Sequence, residues 1–170
     1  MIKTNSMNTV VLNNLQINQK IDRISYEILE NNYNDASFSI IGIRGNGHLL
    51  AMKIANKLKL ISEKRIELIE LSINKNDPFK NEIVLSAEIS DASNTLILVD
   101  DVVNSGKTMQ YALLKLLEFP VNKVRTVALV DRKHRRYPIR CDYVGITLST
   151  TLKDRVEVSL IENDCQAYLV

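Results

Sequence analysis

The sequence predicts an α/β protein with a mainly parallel, twisted sheet flanked by helices. Short runs of β-branched and other apolar residues alternate with longer segments whose apolar residues have helical spacing. The short runs are nearly continuous in apolar residues, which is typical of parallel strands buried on both faces. The 170 residues contain no internal repeat and no linker-like stretch. We therefore expect a single domain spanning residues 1–170.

The composition excludes several classes of protein. Apolar residues make up 45% of the chain and charged residues 25%, which are ordinary values for a globular protein. No apolar stretch approaches the length of a membrane span and the first twelve residues have no signal-peptide pattern, so we expect a cytoplasmic protein without membrane contact. The net charge of +2 is too small to indicate nucleic-acid binding by itself. Cys141 and Cys165 are too few and too far apart for a zinc site, and we expect reduced, structural thiols.

The predicted elements alternate along most of the chain. Turn-forming residues 74–81 separate two predicted strands and produce a hairpin-like arm. In the helix that starts at Lys107, the predicted core face consists of Met109, Ala112, Leu113, Leu116 and Leu117. The predicted helices are 15–32, 48–60 and 107–119, and the predicted strands are 38–43, 65–73, 82–89, 96–99, 124–130, 143–146 and 156–160.

One strand-to-helix turn, within residues 95–110, carries the clearest chemical signal. The buried strand stops at Asp100 and Asp101, and a small, donor-rich turn from Asn104 to Thr108 precedes the helix. In open parallel sheets, ligands bind at such turns. Backbone N–H groups at a helix start favour an anion such as phosphate. Two adjacent carboxylates suit sugar hydroxyls, or Mg²⁺ held through water.

Three alternatives fit this turn less well. Residues 105–108, Ser-Gly-Lys-Thr, resemble the end of a nucleotide-binding P-loop, but that motif requires glycine where Asp101 stands. Phospho-accepting receiver domains share a strand that ends in two acids, but they lack the Ser-Gly-Lys-Thr turn. A capped helix with solvated acids would explain a lone acid pair, but not the polar and small residues that follow it.

Leu96 to Thr108 resembles the phosphoribosyl-diphosphate (PRPP) signature of type I phosphoribosyltransferases, in which four apolar residues, two acids and two apolar residues precede x-[ST]-G-x-[ST]. The resemblance implies that the acids contact the ribose hydroxyls and help to hold Mg²⁺, while the loop holds the 5′-phosphate. Asn104 replaces an acid that assists proton transfer in several purine-using members, which argues against a purine substrate. The implied PRPP-binding residues are Asp100, Asp101, Val102, Val103, Asn104, Ser105, Gly106, Lys107 and Thr108.

A second loop, Arg44-Gly45-Asn46-Gly47, follows the predicted strand 38–43. Its glycines do not match a dinucleotide-binding fingerprint, but they allow positive φ and close approach to an anion, and Arg44 adds charge. In phosphoribosyltransferases the loop at this place holds the leaving diphosphate, so all four residues are predicted to bind PRPP. The alternative is an ordinary glycine-rich turn. The family arginine aligns with Asn46, and we expect Arg44 to compensate. The predicted catalytic residues are Arg44, Asp100 and Asp101.

Residues 128–145, Ala-Leu-Val-Asp-Arg-Lys-His-Arg-Arg-Tyr-Pro-Ile-Arg-Cys-Asp-Tyr-Val-Gly, are similar to a segment of bifunctional pyrimidine regulatory proteins (PyrR). The family pattern is approximately L-V-D-R-G-H-R-E-L-P-I-R-x-D-Y-[IV]-G. Looser similarity covers residues 21–30, 41–58 and 150–160, and the arm between 74 and 94 is shorter. The resemblance implies the type I phosphoribosyltransferase fold with a small hood and a flexible arm that closes over PRPP, and a homodimer or higher oligomer.

The same resemblance implies two activities. One is transfer of phosphoribose from PRPP to a free nucleobase, uracil or a related pyrimidine. The alternative is a UMP- or PRPP-sensing regulator that binds pyrimidine-operon RNA, with weak or no catalysis. The implied base-binding residues are Val130, Asp131 and the backbone of Tyr143 and Val144, and the RNA-binding candidates are His134, Arg135, Arg136 and Arg140.

Overall fold

A computed structural model of the chain describes residues 9–89, 95–149, 155–161 and 164–170. The helices within these residues are α1 (Asn14–Asn31), α2 (Asn46–Ile61) and α3 (Lys107–Leu116). The strands are β1 (Thr9–Leu12), β2 (Ser37–Ile43), β3 (Arg65–Ser72), β4 (Val84–Leu85), β5 (Thr95–Val103), β6 (Lys123–Asp131), β7 (Tyr143–Thr147), β8 (Val156–Ser159) and β9 (Gln166–Leu169).

The main sheet confirms the predicted fold class. Its six strands lie in the order β4-β3-β2-β5-β6-β7, and all neighbours are parallel except the β3–β4 pair. From β2 the chain goes first to β3 on one side and then to β5 on the other. The order therefore reverses between β2 and β5, where loops at the carboxyl ends of neighbouring strands diverge and leave a crevice for a ligand.

Helices cover both faces of this sheet. α1 and α2 pack on one face around residues such as Ile24, Ile40 and Ile54. On the other face, α3 contributes Met109, Ala112 and Leu116 to the core. Leu117 was predicted to lie on the core face of α3, but 57% of its surface is exposed because the regular helix ends at Leu116 and Leu117 is only its cap.

A second, three-stranded antiparallel sheet has the order β1-β9-β8. We call it the hood. Val158 and Ala167 of the hood join the core cluster that α1 and α2 cover. Only β8 was predicted. The other two strands have four residues each, and their pairing joins opposite ends of the chain, so no local pattern reveals it.

The arm between β3 and the start of β5 forms the predicted hairpin, but its return strand is shorter than residues 82–89. Pairing joins Leu71 with Leu85 and Ser72 with Val84, and Ser86 adds hydrogen bonds to Glu70. Beyond Ser86 the described chain leaves the sheet. The Phe79 ring at the tip of the arm meets the Tyr111 ring of α3 edge-on at 5.0 Å.

The two cysteines are buried free thiols. Burial raises the pKa of Cys141 to about 12, and its Sγ lies 3.7 Å from the sulfur of Met109. An apolar surrounding of this kind leaves a thiol unreactive. In the described part of the chain, no helix has both the length and the apolar character that crossing a bilayer requires.

Candidate active site

The acid pair lies within β5, not beyond its end. The strand was predicted to stop at residue 99, but pairing with β6 continues until Val103 meets Asp131. The side chains of Asp100 and Asp101 are only 4% and 13% exposed. Parallel pairing with β6 holds the backbone of Asp100 opposite Ala128, and pairing with β2 ends one residue earlier, at Val99, so the two carboxylates have a fixed position at the crevice.

A cavity of about 490 Å³ opens above the acid pair. It is formed by the end of β5, the start of α2, the arm and the hood. The structure therefore brings Asn46 together with the predicted phosphate loop, residues 102–108. The predicted site residues did not include Lys75, Met109 or the hood residues 156–158, which also line the cavity. The residues that line the cavity are Asn46, Lys75, Asp100, Asp101, Val102, Val103, Asn104, Ser105, Gly106, Lys107, Thr108, Met109, Val156, Glu157 and Val158.

The phosphate loop has the geometry of a helix-start anion site. Gly106 caps α3 with φ +83°, a left-handed conformation that favours glycine. The hydroxyl of Ser105 accepts a hydrogen bond from the Lys107 N–H at 3.3 Å. Because the first turn of α3 lines the cavity, its unpaired N–H groups and the positive end of the helix dipole favour an anion there.

The basic segment 132–139 holds the phosphate loop in place through hydrogen bonds. The backbone N–H groups of Arg136 and Tyr137 both donate to the Ser105 carbonyl, at 2.9 and 3.1 Å. The N–H of Arg132 donates to the Val103 carbonyl at 3.1 Å, and its guanidinium donates to the Asn104 side chain at 2.9 Å. The densest charge run in the chain is therefore partly a scaffold for the phosphate loop.

Arg135 is the centre of this scaffold. Its guanidinium donates to the carbonyls of Asn104 and Ile139, at 3.1 and 2.9 Å, and to the Asp131 carboxylate at 2.7 Å. Its side chain is only 23% exposed. The predicted RNA contact of Arg135 stays a prediction, and these internal bonds already occupy its guanidinium. Arg136 and Arg140 are exposed and stay RNA-binding candidates, as does the half-buried His134.

Replacing Arg135 with alanine should loosen the phosphate loop. We expect a loss of about 1–3 kcal/mol in the free energy of unfolding, since hydrogen bonds from a charged donor are removed and the partly buried Ile139 carbonyl loses a partner. The KM for PRPP should rise about ten-fold, a change worth about 1.4 kcal/mol. Urea denaturation and steady-state kinetics measure the two effects. Arg136→Ala is the control, and equal effects in both variants would contradict the scaffold role.

A lysine from the arm reaches the acid pair. The Lys75 ammonium lies 3.0 Å from Oδ1 of Asp100 and 3.9 Å from Oδ1 of Asp101. Burial raises the pKa of Asp100 to about 7, although attraction to Lys75 opposes this shift; repulsion from Asp101 adds to it. Desolvation lowers the pKa of Lys75, but attraction to the two acids outweighs it, so the net direction is upward.

The raised pKa of Asp100 predicts a pH dependence of the ligand-free protein. Between about pH 4 and pH 7 the folded state holds a proton on Asp100 that the unfolded chain has released. The free energy of unfolding should therefore fall as pH rises through this window, by at most about 1.4 kcal/mol per pH unit. Asp100→Asn removes this contribution. Urea denaturation of both proteins across the window tests it, and an identical pH profile in the variant would contradict the assignment.

Residues 44–47 form the loop that was predicted to hold the diphosphate, and we call it the diphosphate loop. Only part of it lies beside the acid pair. A Cβ at Gly47 would lie 3.0 Å from both Oδ1 of Asp100 and the Val99 carbonyl, so close contact requires glycine here. Asn46 donates from its side-chain amide to the Val158 carbonyl at 2.7 Å and ties the loop to the hood. Gly45, with φ +94°, precedes them and is exposed.

Arg44 is not brought to the acid pair. Its side chain is 71% exposed and its Nε lies 3.7 Å from the Glu70 carboxylate. It borders a separate hollow of about 280 Å³ beside the arm. The expected compensation of Asn46 by Arg44 is thus not present in this arrangement. A direct catalytic contact of Arg44 stays a prediction that requires its side chain to turn towards the cavity.

The predicted base-binding residues separate into two places. Val130 and Asp131 are buried at the carboxyl end of β6, near the cavity. Tyr143 instead pairs with Val127, at the amino end of β7, and its hydroxyl accepts a hydrogen bond at 3.1 Å from the side-chain amide of Asn32, the residue that follows α1. The Val144 carbonyl accepts a hydrogen bond from Arg23.

The structure therefore does not bring Tyr143 and Val144 to the carboxyl end of β6, and their contact with the base stays a prediction. The backbone beside Asp131 is that of Thr147 and Leu148, whose N–H donates to the Asp131 carbonyl at 2.8 Å. The rule that ligands bind at carboxyl ends of parallel strands would have selected this end of β7.

The acid pair suits a shared magnesium ion. Across residues 9–89, 95–149, 155–161 and 164–170, no cluster of three or more His, Cys, Asp or Glu side chains is placed to enclose a metal. Mg²⁺ commonly binds through one or two carboxylates together with substrate phosphates and water. Asp100 and Asp101 beside an anion-binding loop fit this donor set, with the substrate supplying the remaining oxygens.

Comparison with known proteins agrees with this geometry. The family model described as "Phosphoribosyl transferase domain" matches residues 7–160. The chain belongs to the phosphoribosyl transferase family, among its PyrR-like type I members. It is 32% identical to the "Bifunctional protein PyrR" of Bacillus cereus (strain AH820) over 170 aligned residues, which cover 92% of this chain and 93% of the relative. The protein of that name from Bacillus mycoides (strain KBAB4) is 34% identical, with the same coverage.

Solved structures of phosphoribosyltransferases share the fold of this PyrR-like chain. The hypoxanthine phosphoribosyltransferase of Trypanosoma cruzi superposes with a TM-score of 0.73 at 15% identity, covering 82% of this chain and 81% of the other. A hypoxanthine-guanine phosphoribosyltransferase of Bacillus anthracis gives 0.68 at 14% identity, covering 82% of each chain. At this identity the likeness concerns the fold.

Proposed function

We propose that this phosphoribosyltransferase transfers the phosphoribosyl group of PRPP to uracil or a related pyrimidine, with Mg²⁺, and releases diphosphate. The observation that carries the proposal is the cavity in which Asp100 and Asp101 face the helix-start phosphate loop. One end of this cavity suits a phosphate and the other suits ribose hydroxyls, and its volume of about 490 Å³ lies in the usual range of small-molecule sites.

The proposed reaction needs positioning and electrostatics more than a protein nucleophile. The bond from C1′ to the diphosphate oxygen breaks, the bond from C1′ to the base nitrogen forms, and the base loses its N–H proton. The phosphate loop holds the 5′-phosphate, while Asp100 and Asp101 orient the ribose and stabilise positive charge that develops at the sugar. Bound Mg²⁺ would neutralise charge on the leaving diphosphate. The inert, buried Cys141 has no place in such a step.

Asn104 supports a pyrimidine as the acceptor. Its side-chain oxygen accepts a hydrogen bond from the Arg132 guanidinium at 2.9 Å, so this residue is tied into the scaffold and carries no titratable proton. Transfer of an N–H proton from a base that depends on an acidic side chain at this position would therefore lack that side chain. The similarity to PyrR proteins over most of the chain supports the same choice.

Product analysis tests the acceptor base. The protein is incubated with PRPP, Mg²⁺ and equimolar uracil and hypoxanthine, and the nucleotides are separated by chromatography. The proposal expects UMP to form in large excess over IMP. Predominant IMP would overturn the pyrimidine assignment while leaving the transferase assignment intact.

A second candidate function is regulation through RNA. Arg136 and Arg140 are exposed, and the segment that carries them contacts the phosphate loop through its backbone. Binding of a nucleotide in the cavity could thus change the position of this basic surface, which lies outside the cavity. UMP-dependent RNA binding should weaken steeply with salt, and Arg136→Ala with Arg140→Ala should reduce the logarithmic salt slope by roughly one for each phosphate contact removed. RNA binding that does not change with salt concentration would contradict this function.

A homodimer or higher oligomer, which light scattering would detect, would double the basic surface.

A further inference from the structure

Tyr111 of α3 forms ring contacts with two other aromatic residues. The Phe79 ring, at the tip of the arm, meets the Tyr111 ring edge-on, with centroids 5.0 Å apart and ring planes at 78°. The Tyr137 ring of the basic segment lies 6.4 Å from the same Tyr111 ring, with planes at 59°. Aromatic rings attract one another at such distances and angles. Tyr111 therefore contacts two segments that are distant in sequence from α3 and from each other.

Both of these segments shape the ligand cavity. The arm carries Lys75, which lines the cavity directly. The basic segment acts through the phosphate loop, since the N–H groups of Arg136 and Tyr137 donate to the Ser105 carbonyl at 2.9 and 3.1 Å. Tyr111 itself lies beyond the residues of α3 that line the cavity, which are 107–109. Its position suits an action through the two segments and not through contact with a ligand.

The tip of the arm has little other support. Phe79 is 80% exposed, and a hollow of about 310 Å³ between the arm and α3 is bordered by Ile83 and Leu114 as well as by the Phe79 and Tyr111 rings. At the other end of the arm, only the two residues of β4 pair with β3. A segment with so few contacts opens at a low cost in free energy. The contact between Phe79 and Tyr111 is therefore an anchor of the arm.

We propose that Tyr111 is a positioning residue for the PRPP site, which anchors the arm through Phe79 and the basic segment through Tyr137. One residue outside the cavity thereby fixes two parts of the cavity wall. The effect on PRPP rests on the proposed function, whereas the anchoring is a property of the ligand-free protein. Both contacts are made by rings, so phenylalanine at position 111 retains them.

Amide hydrogen exchange of the ligand-free protein tests the anchoring. The Ser86 N–H, which donates to a carbonyl of β3 at 2.9 Å, reports opening of the arm, and the N–H groups of Arg136 and Tyr137 report opening of the basic segment. Tyr111→Ala should speed exchange at both places about two- to ten-fold, the effect of losing an aromatic pair. Phe79→Ala should speed exchange at Ser86 alone. Tyr111→Phe should match the wild type at both places.

Steady-state kinetics test the effect on the PRPP site. The KM for PRPP should rise about two- to ten-fold in Tyr111→Ala, while kcat stays within about two-fold of the wild type, because the variant loses support for binding and no group that acts on the reacting atoms. Tyr111→Phe should restore the KM. Leu114→Ala shortens an exposed side chain that borders the same hollow, and it should change neither the exchange rates nor the KM.

The outcomes separate anchoring from a general loosening of α3. Unchanged exchange at Ser86 and Tyr137 in Tyr111→Ala would overturn the anchor, and so would equal effects in Leu114→Ala or faster exchange throughout β2 and β5. Faster exchange at the two places with an unchanged KM would overturn the positioning of the PRPP site. If the wild type neither binds PRPP nor turns it over, the proposed function fails, and the exchange rates still decide the anchoring.

Discussion

Replacing both Asp100 and Asp101 with asparagine should abolish PRPP turnover and leave a folded protein. Removing one preorganised electrostatic contact typically costs 10²–10³ in rate, so we expect a loss of at least about a thousand-fold in kcat/KM for the pair. The fold should survive because asparagine has nearly the same shape, and because both acids are buried at a cost in desolvation.

Kinetics with PRPP and a thermal unfolding scan measure the two outcomes. Asp77→Asn is the control, since it removes an exposed acid of the arm outside the cavity. Turnover within ten-fold of the wild type in the double variant would show that the acids serve the fold and not the ligand.

Gly106→Ala should damage both stability and PRPP binding. The glycine has φ +83°, and a Cβ there would lie 2.6 Å from Cγ2 of Ile139. Left-handed backbone costs an ordinary residue about 1–2 kcal/mol, and overpacking adds about 1–3 kcal/mol. We expect a total destabilisation of roughly 2–5 kcal/mol, and the displaced loop should bind PRPP at least about ten-fold more weakly.

A double-mutant cycle separates the two causes. Ile139→Ala removes the clashing methyl group but leaves the backbone strain at Gly106. The double variant should therefore be less destabilised than the sum of the single variants, by about 1–2 kcal/mol in urea denaturation. Strict additivity would mean that Ile139 moves aside freely and that the backbone conformation carries the whole effect.

The centre of the site could be predicted because its signal is local. The apolar run, the acid pair and the turn at 104–108 occupy one continuous stretch, and a parallel sheet places such a turn at the ligand edge. The main sheet follows from the same alternation of strands and helices. Its helices and strands begin and end within a few residues of the predicted bounds, except where β5 continues through the acids and where β4 is shorter than the predicted strand.

The parts that escaped prediction depend on contacts between distant segments. Lys75 belongs to the turn between two predicted strands, and only the crossing of the arm brings its ammonium to Asp100. Arg135 has the composition of a surface charge, yet its bonds to the Asn104 and Ile139 carbonyls give it an internal role. The hood pairs the two ends of the chain, from which no residue pattern could be read.

One departure from the PyrR pattern has a visible structural setting. Lys133 stands where that pattern has glycine, and it keeps the left-handed backbone, with φ +57°. Its N–H donates to the Asp131 carboxylate at 2.9 Å, and the other oxygen of that carboxylate accepts from Arg135. Lys133 therefore has a backbone conformation that favours glycine, and the hydrogen bonds of the Asp131 carboxylate stabilise it.

Release of diphosphate from PRPP tests the central claim most directly. The assay uses the purified protein with PRPP and Mg²⁺, first without a base and then with uracil, other pyrimidines, hypoxanthine, guanine or adenine. We predict release that requires both Mg²⁺ and a pyrimidine base, with one nucleotide formed for each diphosphate. If no base supports release while PRPP or UMP still binds, this chain senses nucleotides without transferring phosphoribose, and the claim of catalysis is wrong.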